Sequence, residues 1–184
     1  MMHFGVETVE DKNGFYAMGF PDQSWTHSQI DVCFYYLRKK SKYDPNRFYK
    51  FSRVDCNFMN IIRSIHDVYS VDDSNLTVGG QEVYLNEYIN GFRMHATVPW
   101  HTVGDIYIPV NIKKKHHWVL AVLSFSERYI FLYDSYESSG HYPAVLAEIE
   151  KIAEIIPFVS KRLPGGRLNF EGSAISLSTL SGIL

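Results

Sequence analysis

Cysteine is scarce in this chain of 184 residues, which has only Cys33 and Cys56. Two cysteines cannot build a disulfide framework or a four-ligand zinc site, so we expect a reduced, intracellular setting. Long apolar runs are also missing. The longest, such as 118–123, fall far short of the roughly 18–20 residues that a membrane span needs. The N-terminal residues lack the basic segment followed by an apolar segment that is typical of a signal peptide.

The chain also has no large excess of charge of either sign. The chain has 18 Lys and Arg, 20 Asp and Glu, and a net charge of −2. This balance predicts no long-range attraction to nucleic acid or to an acidic membrane. Hydrophobic residues make up 46% and aromatic residues 15%. The first value is typical of a globular chain and excludes intrinsic disorder, and the length suits one domain. The aromatic excess predicts an aromatic-rich core, or else a groove lined by rings.

Helical periodicity is clear from residue 24 onward. Ile30, Cys33, Phe34 and Leu37 recur at the i, i+3, i+4, i+7 spacing of an apolar helical stripe. The pattern predicts a helix with Cys33 in the core, and Ser28 is the predicted N-cap.

Further helices are predicted downstream. Asp55 is placed as the N-cap of a second helix, and 82–88 is predicted to form a short one. A third apolar pattern runs over 144–156, and we expect Pro157 to end that helix.

The middle of the chain is predicted to form strands. The segment 105–111 is short and apolar, and its Pro109 predicts an edge or a strand end. The segments 117–125 and 129–133 are rich in β-formers and separated by a short turn, so they should pair antiparallel. Residues 1–24 are interpreted as an irregular arm, and 163–184 shows no period. Together the segments predict an α+β domain over 25–162, with a mixed or antiparallel sheet flanked by helices.

A histidine and an aspartate mark one end of the predicted hairpin. His117 opens the first strand and Asp134 follows the second, 17 positions later. The entry of one antiparallel strand lies beside the exit of its partner, so the two side chains should be within reach. An Asp bound to one imidazole nitrogen fixes the tautomer and leaves the other nitrogen to take a proton from a thiol or hydroxyl. A surface ion pair is the alternative interpretation.

These residues also carry a family resemblance. The runs SWTHSQIDVCFYYL (24–37), DIYIPVN (105–111), His-Trp at 117–118 and Tyr-Asp-Ser at 133–135 occur in that order. The chain thereby resembles the catalytic domain of the ubiquitin-like-protein-specific cysteine proteases, the SUMO-protease family, and in particular its plant branch. The resemblance covers roughly 24–157. It implies a papain-like fold of the adenain and SUMO-protease type.

The resemblance also implies roles. His117 matches the general base of the family and Asp134 the carboxylate that orients it. Trp118 and Trp25 match the two indoles that enclose the substrate's Gly-Gly tail, a slot that glycine fits because it has no side chain. The implied partner is a SUMO-type modifier or its conjugates. The implied protein is a nuclear or cytoplasmic monomer that needs no metal or cofactor and contacts neither nucleic acid nor membrane.

Two departures from the family pattern are visible. Ser28 stands where the family has an acidic residue. The family's Gln and Asp-Cys-Gly, which follow the orienting Asp, have no counterpart, because residues 135–184 contain neither Cys nor Gln. The cysteine nucleophile is therefore absent, and the segment 163–184 replaces the part of the family's chain that would carry it. We expect the 184 residues to be inactive, as a truncated product or a modifier-binding pseudo-protease. The remaining alternatives are that Cys56, after Asp55, acts as an activated thiol, or that the chain belongs to another class of protein altogether.

Overall fold

The structure is a computed structural model that describes residues 2–3, 8–9, 20, 25–43, 51–69, 80–112, 117–135, 142–162 and 176–179. Its helices are α1 (His27–Tyr43), α2 (Phe58–Tyr69), α3 (Gln81–Ile89), α4 (Tyr142–Arg162) and a 3-10 turn (Trp100–Thr102). Its strands are β1 (Met2–His3), β2 (Thr8–Val9), β3 (Phe51–Arg53), β4 (Asp105–Ile112), β5 (His117–Ser124), β6 (Tyr129–Tyr133) and β7 (Ser176–Thr179).

A mixed sheet in the order β3-β4-β5-β6-β7 forms the centre of the fold. The inner pairs β4–β5 and β5–β6 are antiparallel, and the outer pairs β3–β4 and β6–β7 are parallel. The predicted antiparallel hairpin and the α+β class are both confirmed. The prediction that Pro109 marks an edge strand or a strand end is wrong, because β4 lies between β3 and β5 and Pro109 is in its interior. Proline is accommodated there because β3 pairs with β4 only as far as Tyr107. At Pro109 the described sheet continues on the β5 side alone, where Leu120 is its partner.

The core lies between one face of this sheet and the helices α2 and α4. Side chains at alternate positions of β4 and β5 point into it, as the two-residue period of a strand requires. Among them Ile106, Ile108, Ala121 and Leu123 are fully buried. Burying a Leu or Ile side chain stabilises the fold by about 1.5–3 kcal/mol, so this face fixes the register of the hairpin. The register in turn places the ends of β5 and β6.

Helix α1 begins one residue before the predicted cap. Thr26 Oγ1 accepts a hydrogen bond from the backbone N–H of Gln29, whose side-chain oxygen accepts one from the N–H of Thr26. This reciprocal pair is a capping box. The prediction of Ser28 as the cap is therefore wrong, because Ser28 lies in the first turn. Cys33 is only half-buried, and the expectation that it is a core residue is also wrong.

Asp55 caps α2 as predicted. Its Oδ1 accepts hydrogen bonds from the backbone N–H groups of Asn57 and Phe58, at 3.1 and 3.2 Å. The same oxygen also accepts a hydrogen bond from the Tyr88 hydroxyl of α3, at 2.5 Å. Asp55 thus joins the start of α2 to α3, a role that the local sequence did not indicate.

Pro157 does not end the last helix. Helix α4 continues through it to Arg162. Proline removes a backbone donor and disfavours an interior helical position, so burial of the following turn must offset that cost. Val159 is 1% exposed, and the Phe158 ring packs against Tyr69 of α2 with ring centroids 4.3 Å apart. Tertiary packing of the turn after Pro157 explains why the prediction was wrong.

The two ends of the chain also differ from expectation. Within the predicted irregular arm, β1 and β2 form an antiparallel pair. Within 163–184, which shows no period, β7 adds a parallel strand beside β6. Apart from Phe20, the remainder of both segments lies outside the described residues, and so do their predicted boundaries at 24 and 163. No helix among the described residues is long and apolar enough to cross a membrane.

Candidate active site at the end of the central hairpin

His117 and Asp134 meet where β5 begins and β6 ends. The Nε2 atom of His117 lies 2.6 Å from Oδ1 of Asp134. Both side chains are largely buried, with exposed fractions of 18% and 17%. An ionised carboxylate can only accept a hydrogen bond, so Nε2 must carry the proton. The predicted proximity of the two residues is confirmed.

The register of the hairpin explains why they meet. Leu120 pairs with Tyr133. Continued by one residue, this register places Asp134 opposite Val119, on the core-facing side of the sheet. His117 is two residues before Val119 and therefore points to the same face. His117 and Asp134 are thus diagonal neighbours on adjacent strands. A long side chain such as histidine can bridge the distance between two such positions.

The arrangement fixes the chemistry that the imidazole can perform. With Nε2–H directed at the carboxylate, Nδ1 is the nitrogen that can accept a proton. The carboxylate also stabilises the positive charge that the ring then acquires. Together the two groups can serve as a general base with its orienting acid.

Trp118, the next residue along β5, points to the opposite face of the sheet. Its indole Nε1–H donates a hydrogen bond to the backbone carbonyl of Trp25, at 2.8 Å. The His27 ring stands against the same indole, with centroids 5.1 Å apart and an interplanar angle of 81°. Trp25, 38% exposed, immediately precedes the capping box of α1. The structure therefore brings both predicted indole residues together at the N-terminus of α1.

His27 was missed as a site residue by the sequence reasoning. The sequence around His27 has no metal-ligand spacing that would mark the residue as functional. Its contact with Trp118 joins residues 91 positions apart, and only the packing of α1 beside the start of β5 creates it. The order Trp-Thr-His before an apolar helical stripe was the one available signal.

The environment of Cys56 does not favour an activated thiol. The residue is buried, and its Sγ–H donates to the carbonyl oxygen of His27 with an S···O distance of 3.7 Å. Burial raises the pKa of the Cys56 thiol, and the neighbouring carboxylates of Asp31 and Asp55 raise it further. The thiolate is thus disfavoured where a nucleophile would need it. The alternative that Cys56 acts as the nucleophile is not supported by this environment.

The environment of the second cysteine, Cys33, does not favour a nucleophilic thiol either. Cys33 lies within α1 rather than at its N-terminus, and burial raises the pKa of its thiol. Among the described residues no group of three His, Cys, Asp or Glu side chains could hold a metal ion.

Comparison with known proteins identifies the class. The C-terminal catalytic domain of the Ulp1 protease family matches residues 32–165. The chain therefore belongs to the Ulp1 protease family, a family of cysteine peptidases. The match includes His117, Trp118 and Asp134 and begins seven residues after Trp25.

Solved structures agree on the fold. The SUMO protease Ulp1 with its catalytic cysteine oxidised to a sulfinic acid superposes with a TM-score of 0.55 at 16% identity, over 91% of this chain and 60% of that one. The Ulp1 protease domain in complex with Smt3, the yeast orthologue of SUMO, gives 0.53 at 15% identity, over 91% and 60%. This chain thus spans about 60% of the length of these structures. No curated protein sequence matches it.

Proposed function

We propose that this chain binds the Gly-Gly tail of a SUMO-type modifier and presents to it the His–Asp pair of a cysteine peptidase. The observation that carries this proposal is the 2.6 Å contact between His117 Nε2 and Asp134 Oδ1, directly beside Trp118 in the sequence. In peptidases of this kind a thiolate attacks the carbonyl carbon of the scissile bond, and the imidazolium protonates the departing amine. The resulting acyl-enzyme is then hydrolysed.

The two tryptophans support a tail-binding role. The Trp118 indole is anchored through its N–H to the Trp25 backbone, so one edge of the ring is held before any ligand arrives. A narrow slot between Trp118 and Trp25 would admit a chain without side chains and exclude others. The solved complex of Ulp1 with Smt3 supports a SUMO-type partner for the family fold.

Cleavage is a separate part of the proposal. Residues 135–184 contain no cysteine. The environments of Cys33 and Cys56 raise the pKa of both thiols. We therefore propose that a polypeptide of these 184 residues binds the tail without cutting after it.

Binding is tested with a fluorescently labelled SUMO-type modifier ending in Gly-Gly and a second one truncated before that tail. Fluorescence anisotropy should show tighter binding of the first by the 184-residue chain. Trp118→Ala should remove the difference, because the indole that encloses the tail is gone. Lys39→Ala, on the exposed part of α1, is the control and should bind as the unaltered chain does. Equal binding of both modifiers by the unaltered chain would refute the tail-binding proposal.

Cleavage is tested with the same modifier carrying a fluorogenic amide at its C-terminus. We expect no release above buffer, and no change with His117→Ala. Release that disappears in Cys56→Ser would show that Cys56 is the nucleophile and that the inactivity proposal is wrong.

A further inference from the structure

The ring of His27 lies beside the indole of Trp118, and hydrogen bonds hold the backbone of His27 in place. Its carbonyl oxygen accepts the Cys56 thiol hydrogen bond. The residue before it, Thr26, caps α1 through the reciprocal bonds with Gln29. The backbone of His27 is therefore held both from α1 and from the turn that precedes α2, although its side chain is exposed.

That turn is itself fixed to α1. The backbone N–H of Cys56 donates to Oδ1 of Asp31, one helical turn after His27, at 2.7 Å. Two hydrogen bonds from one residue thus tie the 55–57 turn to the first turns of α1. Because the backbone of His27 is held, its ring can move only by rotation about its own side-chain bonds.

The His27 ring packs against the indole of Trp118. The two planes are nearly perpendicular, which is the edge-to-face geometry that aromatic pairs favour. The hydrogen bond from Nε1 to the Trp25 carbonyl holds one edge of the indole but allows it to tilt about that bond. The His27 ring is a second contact of the indole, on a side that the hydrogen bond does not hold.

We infer that His27 is a positioning residue that sets the plane of the Trp118 indole and so decides how strictly the slot selects glycine. This inference rests on the proposed function for its substrate, since it assumes that the slot holds the Gly-Gly tail. The class of ligand selected is an extended peptide tail without side chains. Removing the ring lets the indole tilt and admits a larger residue.

The experiment compares modifiers ending in Gly-Gly and in Gly-Ala. One added methyl in a tight site should cost the unaltered chain roughly tenfold or more in affinity. His27→Ala should reduce this preference about two- to tenfold, the range that one aromatic contact supplies. His27→Phe keeps an aromatic ring and should restore the preference. Lys39→Ala, farther along α1, should leave it unchanged. An unchanged preference in His27→Ala would overturn the inference.

A second measurement needs no ligand and separates the two proposals. Hydrogen exchange of the Trp118 Nε1–H, assigned with Trp118→Phe, should accelerate in His27→Ala and return to its original rate in His27→Phe. If the unaltered chain binds no tail but the exchange follows this pattern, the tail-binding proposal fails and the positioning role stands. If exchange is the same in all three proteins, His27 does not position the indole, whatever binds in the slot.

Discussion

His117 and Asp134 are 2.6 Å apart although they do not face each other across the hairpin. Asp134 follows the last residue of β6, and the register places it opposite Val119 rather than His117. A diagonal pair of this kind depends on both strands keeping their register, which the buried residues of β5 and β6 enforce. The contact also decides which nitrogen of the imidazole carries the proton.

The tautomer of His117 should therefore depend on Asp134. In Asp134→Ala the ring loses the acceptor that holds the proton on Nε2, and a mixture of both tautomers should appear at a pH where the ring is neutral. Nitrogen-15 spectra of the imidazole measure the populations directly. Ser135→Ala, at the exposed next residue, is the control. A single Nε2–H tautomer in Asp134→Ala would show that another group orients the ring.

The two cysteines should react with alkylating reagents at different rates. Both pKa values are raised, so at neutral pH both thiols are slow. Cys33 is partly exposed, whereas Cys56 is buried and hydrogen-bonded. Mass spectrometry after iodoacetamide treatment of the folded protein should find label on Cys33 first and on Cys56 only after denaturation. Early labelling of Cys56 in the folded Cys33→Ser variant would contradict the burial described above.

Two glycines with similar positive φ angles should respond differently to alanine. Gly80 and Gly91 have φ of 79° and 74°, where a side chain costs about 1–2 kcal/mol. A Cβ at Gly80 would meet nothing within 4 Å, but at Gly91 it would lie 2.7 Å from the carbonyl carbon of Val98. Gly91→Ala should therefore lower the free energy of unfolding in urea by clearly more than Gly80→Ala does. Equal losses would mean that the 91–98 contact relaxes without cost.

Glu148 of α4 should stabilise the fold in a pH-dependent way. Burial tends to raise the pKa of its carboxyl, but hydrogen bonds from Lys151 and Arg63, together with their charges, outweigh burial and lower that pKa. A carboxyl with a lowered pKa stabilises the fold above its unfolded pKa, about 4.3, and loses that contribution as the pH falls.

Glu148→Gln should therefore be less stable than the unaltered chain at pH 7, by on the order of 1 kcal/mol. The difference should shrink below about pH 4. Urea unfolding at several pH values measures it, and Glu150→Gln, exposed on the same helix, is the matched control. A difference independent of pH would mean that the ion pairs with Arg63 and Lys151 do not cause it.

Local patterns predicted the strands that position His117 better than they predicted the helix ends. The bounds of β6 at Tyr129–Tyr133 agree with the prediction because a run of β-formers and a short turn specify a hairpin locally. The ends of α1 and α4 disagree. Thr26 rather than Ser28 caps α1, through the N–H of Gln29, and α4 continues past Pro157 because the turn that follows is buried.

The sequence by itself determined the hairpin, the facing of its residues and hence the meeting of His117 with Asp134, because the two-residue period of a strand and a short turn are local properties. Only the tertiary structure decided that His27 packs against Trp118, that Cys56 is buried and hydrogen-bonded, and that 176–179 adds a strand to the sheet. Those relationships join elements far apart in the chain. They depend on how α1 and the sheet pack together, which no local period encodes.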